Sequence, residues 1–240
     1  MTPELSVIIV NWNVRDLLRN LLAALRTQSG CSFETIVVDS ASADGSAEMV
    51  RREFPEVTLI ASPENLGYSR GNNAGMQAAA APVFLLLNPD TLPRPGALRF
   101  LLDYLRDHPD VGLAAPKLLD PDGSPQSSRR RWPTLATGFL ESTWLQAHAP
   151  RRVLARYYAA DLPADAPGPV DWLTGAALCV RREVWQGVGG LDEGYFMYSE
   201  ELDWQRRIHA AGWQIAFVPA AEVAHFEGRS SAQVPAQTHI

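Results

Sequence analysis

The sequence predicts an α/β fold with a mostly parallel, doubly wound central sheet and helices on both faces. Over residues 1–110, short apolar runs alternate with segments of helical periodicity. The runs are unbroken rather than alternating, as in strands covered on both sides. Several end in a polar residue beside turn-forming sequence.

Residues 5–10, LSVIIV, form the first predicted strand. Leu17, Leu18, Leu21, Leu22 and Leu25 then recur at helical spacing and predict an amphipathic helix over 14–26. Residues 35–38 are a second strand, ending at Asp39, and the turn chemistry of 42–46 opens a helix over 46–53. Residues 57–61 read as a third strand, the Ala-rich 69–81 as a helix, and 83–87 as a fourth strand ending at Asn88-Pro89-Asp90. Pro95 starts a further helix, to about 106. The texture then changes. Residues 111–119 predict a strand and Asp120-Pro121-Asp122-Gly123 a tight hairpin turn. SSRRRW, 127–132, is a basic segment, and 133–169 has weak periodicity, as an insertion does. Order resumes over 170–180, with helices near 182–186 and 199–211 and a last strand over 213–218.

The chain has 240 residues, enough for one large domain, with 46% hydrophobic and 20% charged residues. Its net charge of −6 argues against nucleic acid and requires a metal or local arginines to hold an anionic ligand. Cys31 and Cys179 stand in separate apolar contexts and read as buried thiols of a reducing cytoplasm, not as a disulfide. The N-terminus runs straight into a strand, so no signal peptide is expected. No run of about twenty apolar residues marks a membrane span, which leaves peripheral membrane contact open. The polar tail after Gly228 is compatible with a piece cut from a longer chain.

In a parallel sheet, ligands sit beyond the carboxyl ends of the strands. Asn11 and Asn13, Asp39, and Asn88 and Asp90 are therefore expected along one edge. Asp39 suits a base N–H or ribose hydroxyl, a reading preferred here to a cap on the next helix; Asp44 reads as such a cap. Residues 65–75 gather Asn65, Gly67, Arg70 and Asn73 at a helix start, which suits a phosphate. The alternative is a capped helix packed closely on the sheet through its glycines. Asp90 reads either as a ligand for a divalent ion bridging phosphates or as part of a turn. Glu200, Glu201 and Asp203 open one helix; this complements the helix dipole, yet Glu201 projects about 100° away from Glu200. Crowded carboxylates raise one another's pKa, as a general base near neutrality requires. His225 is either structural or a second metal ligand.

Together these residues resemble the family-2 inverting glycosyltransferases of the GT-A fold, Rossmann-like with a smaller acceptor-side subregion. The resemblance is strongest to the rhamnosyltransferase-like branch that builds surface polysaccharides. It rests on SVIIVNWN (6–13), VVDSASADGS (37–46), ENLGYSRGNNAG (64–75), LLLNPDT (85–91), WLTGAALCVRREVWQGVGGLDEGYFMYSEELDW (172–204) and HFEGRSS (225–231). It implies one domain over 1–240, with a nucleotide-sugar half (1–110) and an acceptor and catalytic-base half (111–240) carrying the insertion at 133–169. It implies donor contacts from Asn11, Asn13, Asp39, Asn65, Gly67, Arg70, Asn73, Asn88 and Asp90. Asp90 matches the last Asp of the family's DxD motif, with Asn88 where many members carry the first. Glu201, in place of the family's Asp, matches the general base, with Glu200 as runner-up. Trp172, Gly175, Asp203 and Arg207 match the acceptor side, and His225, with Asp90, the metal ligands. The implied cofactor is Mg²⁺ or Mn²⁺. The implied partners are a nucleotide-diphosphate sugar and a glycan or lipid-linked acceptor. A nucleotidyltransferase would carry a basic Gly-rich loop where Asn11-Trp12-Asn13 stands, and a nicotinamide enzyme GxGxxG. A degenerate module that binds nucleotide sugars without turnover is the remaining alternative.

Overall fold

The computed structural model describes residues 2–137, 151–195 and 199–226. The chain begins with β1 (Leu5–Asn11), α1 (Arg15–Arg26), β2 (Phe33–Ser40), α2 (Ser46–Glu53), β3 (Thr58–Ser62), α3 (Gly67–Ala78) and β4 (Val83–Leu87). A short β5 (Thr91–Pro93) precedes α4 (Ala97–Asp107) and β6 (Val111–Leu119). Then come β7 (Arg129–Arg130), α5 (Arg151–Tyr157), β8 (Gly168–Pro169), β9 (Trp172–Leu173), β10 (Ala177–Arg181), α6 (Arg182–Val188), α7 (Glu200–Ala210) and β11 (Gln214–His225).

The main sheet runs β3-β2-β1-β4-β10-β6-β11-β5, with β8 beside β11; β7 and β9 pair separately. Strands β3, β2, β1 and β4 are mutually parallel, as are β6 and β11. Strand β10 runs antiparallel between β4 and β6 and joins the two parallel groups.

Two-residue periodicity splits the strand side chains into two cores. Val7, Ile9, Leu85 and Leu87 pack with Leu18, Leu21, Leu22 and Leu25 of α1 and Leu98, Leu101 and Leu105 of α4. Ile8, Ile36, Phe84 and Leu86 pack with Met76 of α3, Val184 of α6 and Trp204 and Ile208 of α7. Each fully buried leucine contributes roughly 1.5–3 kcal/mol, so the four on α1 hold it to the sheet whatever its own helix propensity. Helix α3 approaches β1 closely, its glycines lying against the side chains of Val10 and Ile8. A Cβ on Gly71 would lie 2.7 Å from Val10 Cγ1, and one on Gly75 would collide with Ile8. These glycines are packing devices.

Three expectations change. Helix α4 begins at Ala97, because Gly96 holds a left-handed φ of 83°. Strand β11 continues past Pro219 to His225, resuming after a register shift between Val218 and Glu222. Thr91–Pro93 is a strand, pairing antiparallel with the end of β11. Both cysteines are free, as expected, but Cys31 is only half-buried while Cys179 is fully buried. The 120–123 turn closes with Gly123 N–H donating to Asp120 O at 2.8 Å. No helix among the described residues is long and apolar enough to cross a membrane.

Candidate active site

Strands β1 and β2 are in register, so Asn11 sits opposite Asp39 at the carboxyl edge. Asn11 Nδ2 donates to Asp39 Oδ1 (2.9 Å) and to Ser42 Oγ (3.1 Å), and Ser42 N–H donates to Asp39 Oδ2 (3.1 Å). These bonds fix the amide's orientation. Asn11 Oδ1 is consequently shut from solvent with no partner among the described residues. A buried acceptor left unmet costs about 1–3 kcal/mol, a debt a ligand N–H can discharge. Asn13 shapes the same edge: its Oδ1 accepts from Ala43 N–H at 2.7 Å. Asn13 and Ala41 hold φ of 54° and 56°. Such left-handed backbone persists where its surroundings enforce it and clusters at functional sites. Asp44 caps α2, accepting Ser46 N–H and Oγ–H.

At the start of α3, Asn65 Oδ1 accepts Gly67 N–H at 2.9 Å, and Gly67 takes a φ of 67°. Arg70 is exposed and paired with Glu64 at 2.6 Å. Asn73 points elsewhere: its Nδ2 donates to Leu191 O and Glu193 Oε1, and its Oδ1 accepts Leu191 N–H. Its amide ties α3 to the 191–193 segment, whereas the sequence had placed it among donor contacts.

Asn88 N–H donates to Ala176 O, and its own carbonyl accepts from Thr91 Oγ1. Two residues on, buried Asp90 meets the end of β11, because β5 pairs Thr91 with His225. Asp90 Oδ1 lies 3.6 Å from His225 Nε2. A carboxylate and an imidazole suit Mn²⁺, and Mg²⁺ accepts the carboxylate readily. No group of three or more potential His, Cys, Asp or Glu ligands occurs among the described residues. Two protein ligands leave positions for diphosphate oxygens and water, so the donor set fits a metal shared with a nucleotide.

Glu200 and Glu201 open α7 behind Ser199, whose φ is 69°. The Glu201 carboxylate lies against the N–H groups of Glu201 and Gly175, while its Oε2 is shut from solvent without a partner among the described residues. Burial pushes its pKa up; the two N–H groups and the Arg130 charge hold it partly down. Burial, and then the Glu201 charge, raise Glu200 from 4.5 to about 7. Tyr68 Oη donates to Gly175 O at 2.7 Å, and a Cβ on Gly175 would crowd Tyr68 Oη at 3.2 Å and touch Glu201 at 3.6 Å. Buried Gln205 receives Leu173 N–H and donates to Leu173 O and Glu201 O, locking β9 to α7. Trp172 is buried, its indole N–H donating to Arg131 O. Arg207 is occupied by Asp203 and by the carbonyls of Val188 and Gly190. Through these bonds Arg207 supports the 188–190 loop, and Asp203 holds Arg207 in place.

A shift from 4.5 to about 7 makes Glu200 a pH-dependent load on the fold. Below pH 4.5 the carboxyl is neutral folded and unfolded alike, and its stabilising difference is fully present. As pH rises to about 7, roughly 3 kcal/mol is lost. Glu200→Gln is expected to be more stable than the parent at pH 8 and equal to it near pH 4.5. Urea unfolding at both values measures this; equal midpoints at pH 8 would remove the shift.

The residues therefore join through one chain of contacts along the sheet edge: Asp39 to Asn11 on β1, β1 to β4, Asn88 to Ala176, and Gly175 to Glu201. Against the family models, residues 3–238 match the one described as "Glycosyltransferase like family 2". The chain belongs to glycosyltransferase family 2. The N-acetylglucosaminyl-diphospho-decaprenol L-rhamnosyltransferase of Mycobacterium tuberculosis is 33% identical over 98% of this chain and 80% of its own length. A low-salt glycan biosynthesis hexosyltransferase of Haloferax volcanii is 26% identical over 94% of this chain and 68% of its own. In fold the chain resembles a mannosyltransferase from Pyrobaculum calidifontis solved with GDP-Man and Mn²⁺. That likeness has a TM-score of 0.66 at 20% identity, and covers 97% of this chain and 60% of that one. The fold is thus that of the GT-A glycosyltransferases.

Beside these candidate residues the structure places four that the sequence had not singled out: Tyr68, Gln126, Arg130 and Gln205. The non-local hydrogen-bond partners of Tyr68, Gln126 and Gln205 lie 32 to 107 positions away. Only Arg130 carried a signal, as part of the basic SSRRRW segment.

Proposed function

We propose that the chain is an inverting transferase moving a sugar, rhamnose foremost, from a nucleoside-diphosphate donor to a hydroxyl of a lipid-linked diphosphate glycan. The observation that carries this is Glu201: a part-buried carboxylate braced by Gly175, with one oxygen shut from solvent and unmet among the described residues. It is built to take a proton from an incoming hydroxyl. As the acceptor oxygen attacks the anomeric carbon, its proton passes to Glu201. The bond from that carbon to the diphosphate oxygen breaks on the opposite face. Asp39 and Asn11 hold the donor base, with the unmet Asn11 Oδ1 taking a base N–H. Asn65, Gly67, Arg70 and Asn88 belong to the same donor edge. Asp90 and His225 would hold a divalent ion, which would supply positive charge where the diphosphate departs. No protein nucleophile is needed.

The acceptor class draws support from the mycobacterial relative, which its name links to a diphospho-decaprenol. Arg130 suits such an acceptor. Its guanidinium stacks on Tyr158, 4.6 Å from the ring centroid, has no carboxylate partner among the described residues, and acts on Glu201. A cytoplasmic protein touching the membrane surface peripherally fits this acceptor, and Leu135 is 96% exposed beside the same basic segment.

The test is transfer from deoxythymidine-diphosphate rhamnose, or from uridine-diphosphate hexoses, to an N-acetylglucosaminyl-diphospho-prenol with Mn²⁺ or Mg²⁺. Product with inverted anomeric configuration is expected. Tight nucleotide binding with neither transfer nor donor hydrolysis would leave a binding module.

A further inference from the structure

Gln126 lies between the 120–123 turn and the basic segment, and the reaction just described does not use it. It is anchored through its backbone, its N–H donating to Leu118 O at 2.9 Å. Its side-chain Nε2 donates to Asp120 Oδ1 at 2.7 Å and to the backbone carbonyl of His225 at 2.9 Å. Both acceptors are oxygens, so the amide nitrogen is pinned there and Oε1 must face the other way. It faces His225 Nδ1 at 2.9 Å. An amide oxygen only accepts, so the hydrogen of that bond belongs to Nδ1. In a neutral imidazole the other nitrogen then carries the lone pair. That nitrogen, Nε2, is the one 3.6 Å from Asp90 Oδ1.

We infer that Gln126 is a positioning residue that fixes the Nδ1–H tautomer of His225, so that Nε2 presents its lone pair beside Asp90. Metal-binding histidines commonly owe their orientation to such a partner on the second nitrogen. Here one amide grips both the ring and the main chain of His225. Asp120 orients the amide in turn, so the 120–123 turn reaches the metal position through two hydrogen bonds. The inference rests on the reading of Asp90 and His225 as metal ligands, but the tautomer is a property of the metal-free chain.

The experiment is ¹⁵N NMR of the histidine-labelled, metal-free chain at pH 8, with Mn²⁺ binding followed by electron paramagnetic resonance, with and without uridine or deoxythymidine diphosphate. In the parent, His225 is expected as the Nδ1–H form. Gln126→Leu should shift it toward Nε2–H and weaken Mn²⁺ binding in the nucleotide complex by roughly 10–100-fold, the usual effect of losing such a partner. His225 found as Nε2–H in the parent overturns the inference without any variant, so a misfolded Gln126→Leu does not rescue it. An unchanged tautomer and unchanged Mn²⁺ affinity in a folded Gln126→Leu also overturn it. An Nδ1–H parent that binds no Mn²⁺ with either nucleotide sinks the metal reading instead and leaves the tautomer assignment standing.

Discussion

Glu201→Gln is expected to bind the donor nucleotide as the parent does and to turn over roughly 10²–10⁴-fold more slowly. That loss is about 3–5 kcal/mol of barrier. The amide keeps the length and volume of the side chain, and it can still receive the Gly175 N–H. What it cannot do is accept a proton. Because burial raises the Glu201 pKa, the parent's rate should climb with pH through a value above the ordinary carboxylate range, and that limb should vanish in the variant. A steady-state pH profile with a nucleotide titration separates the two effects. Parent-like turnover in Glu201→Gln would remove it as the base. A loss confined to Glu200→Gln would move the role one residue.

Asp90→Asn should uncouple nucleotide from metal. The exchange keeps the shape of a buried side chain at the mouth of β4 and removes its charge. Nucleoside diphosphate binding should become indifferent to Mn²⁺, and transfer should fall roughly 10²–10³-fold, as several kcal/mol of charge stabilisation is lost. His225→Ala should act in the same direction and more weakly, since a neutral ligand contributes less charge. Calorimetric titrations of nucleotide with and without Mn²⁺ measure the coupling. Parent-like metal dependence in Asp90→Asn would place the ion elsewhere.

Much of this architecture could be read from residue order because its cause is local. The unbroken runs LSVIIV and VFLLL are buried on both faces, and the leucines of α1 fall on one stripe. The helix at 46–53 and the strands at 83–87 and 111–119 have the limits their sequence suggests. What escaped was non-local. Strand β5 is three residues long and ends in proline, and it exists because β11 pairs with it. Strand β11 looked finished at Pro219, yet the ladder with β6 resumes beyond it. The direction of β10 is set by β4 and β6, not by its own five residues. The candidate site divides in the same way. Asp39, Asp90 and Glu201 stood out by type and position. Asn73 and Arg207 looked equivalent within their motifs, but their hydrogen bonds go to the backbone of the 188–191 segment, and Asp203 pairs with Arg207.

The placement of β10 limits how this molecule can move. A strand encoded after residue 170 sits between β4 and β6, stitching the early and late parts of the chain into a single slab. Such a slab cannot open like a clamshell, because any hinge line between the parts would have to tear a ladder of hydrogen bonds. The same stitching means that a nascent chain released before residue 181 would expose the apolar flank of β4, a sticky border that only the completed polypeptide can seal.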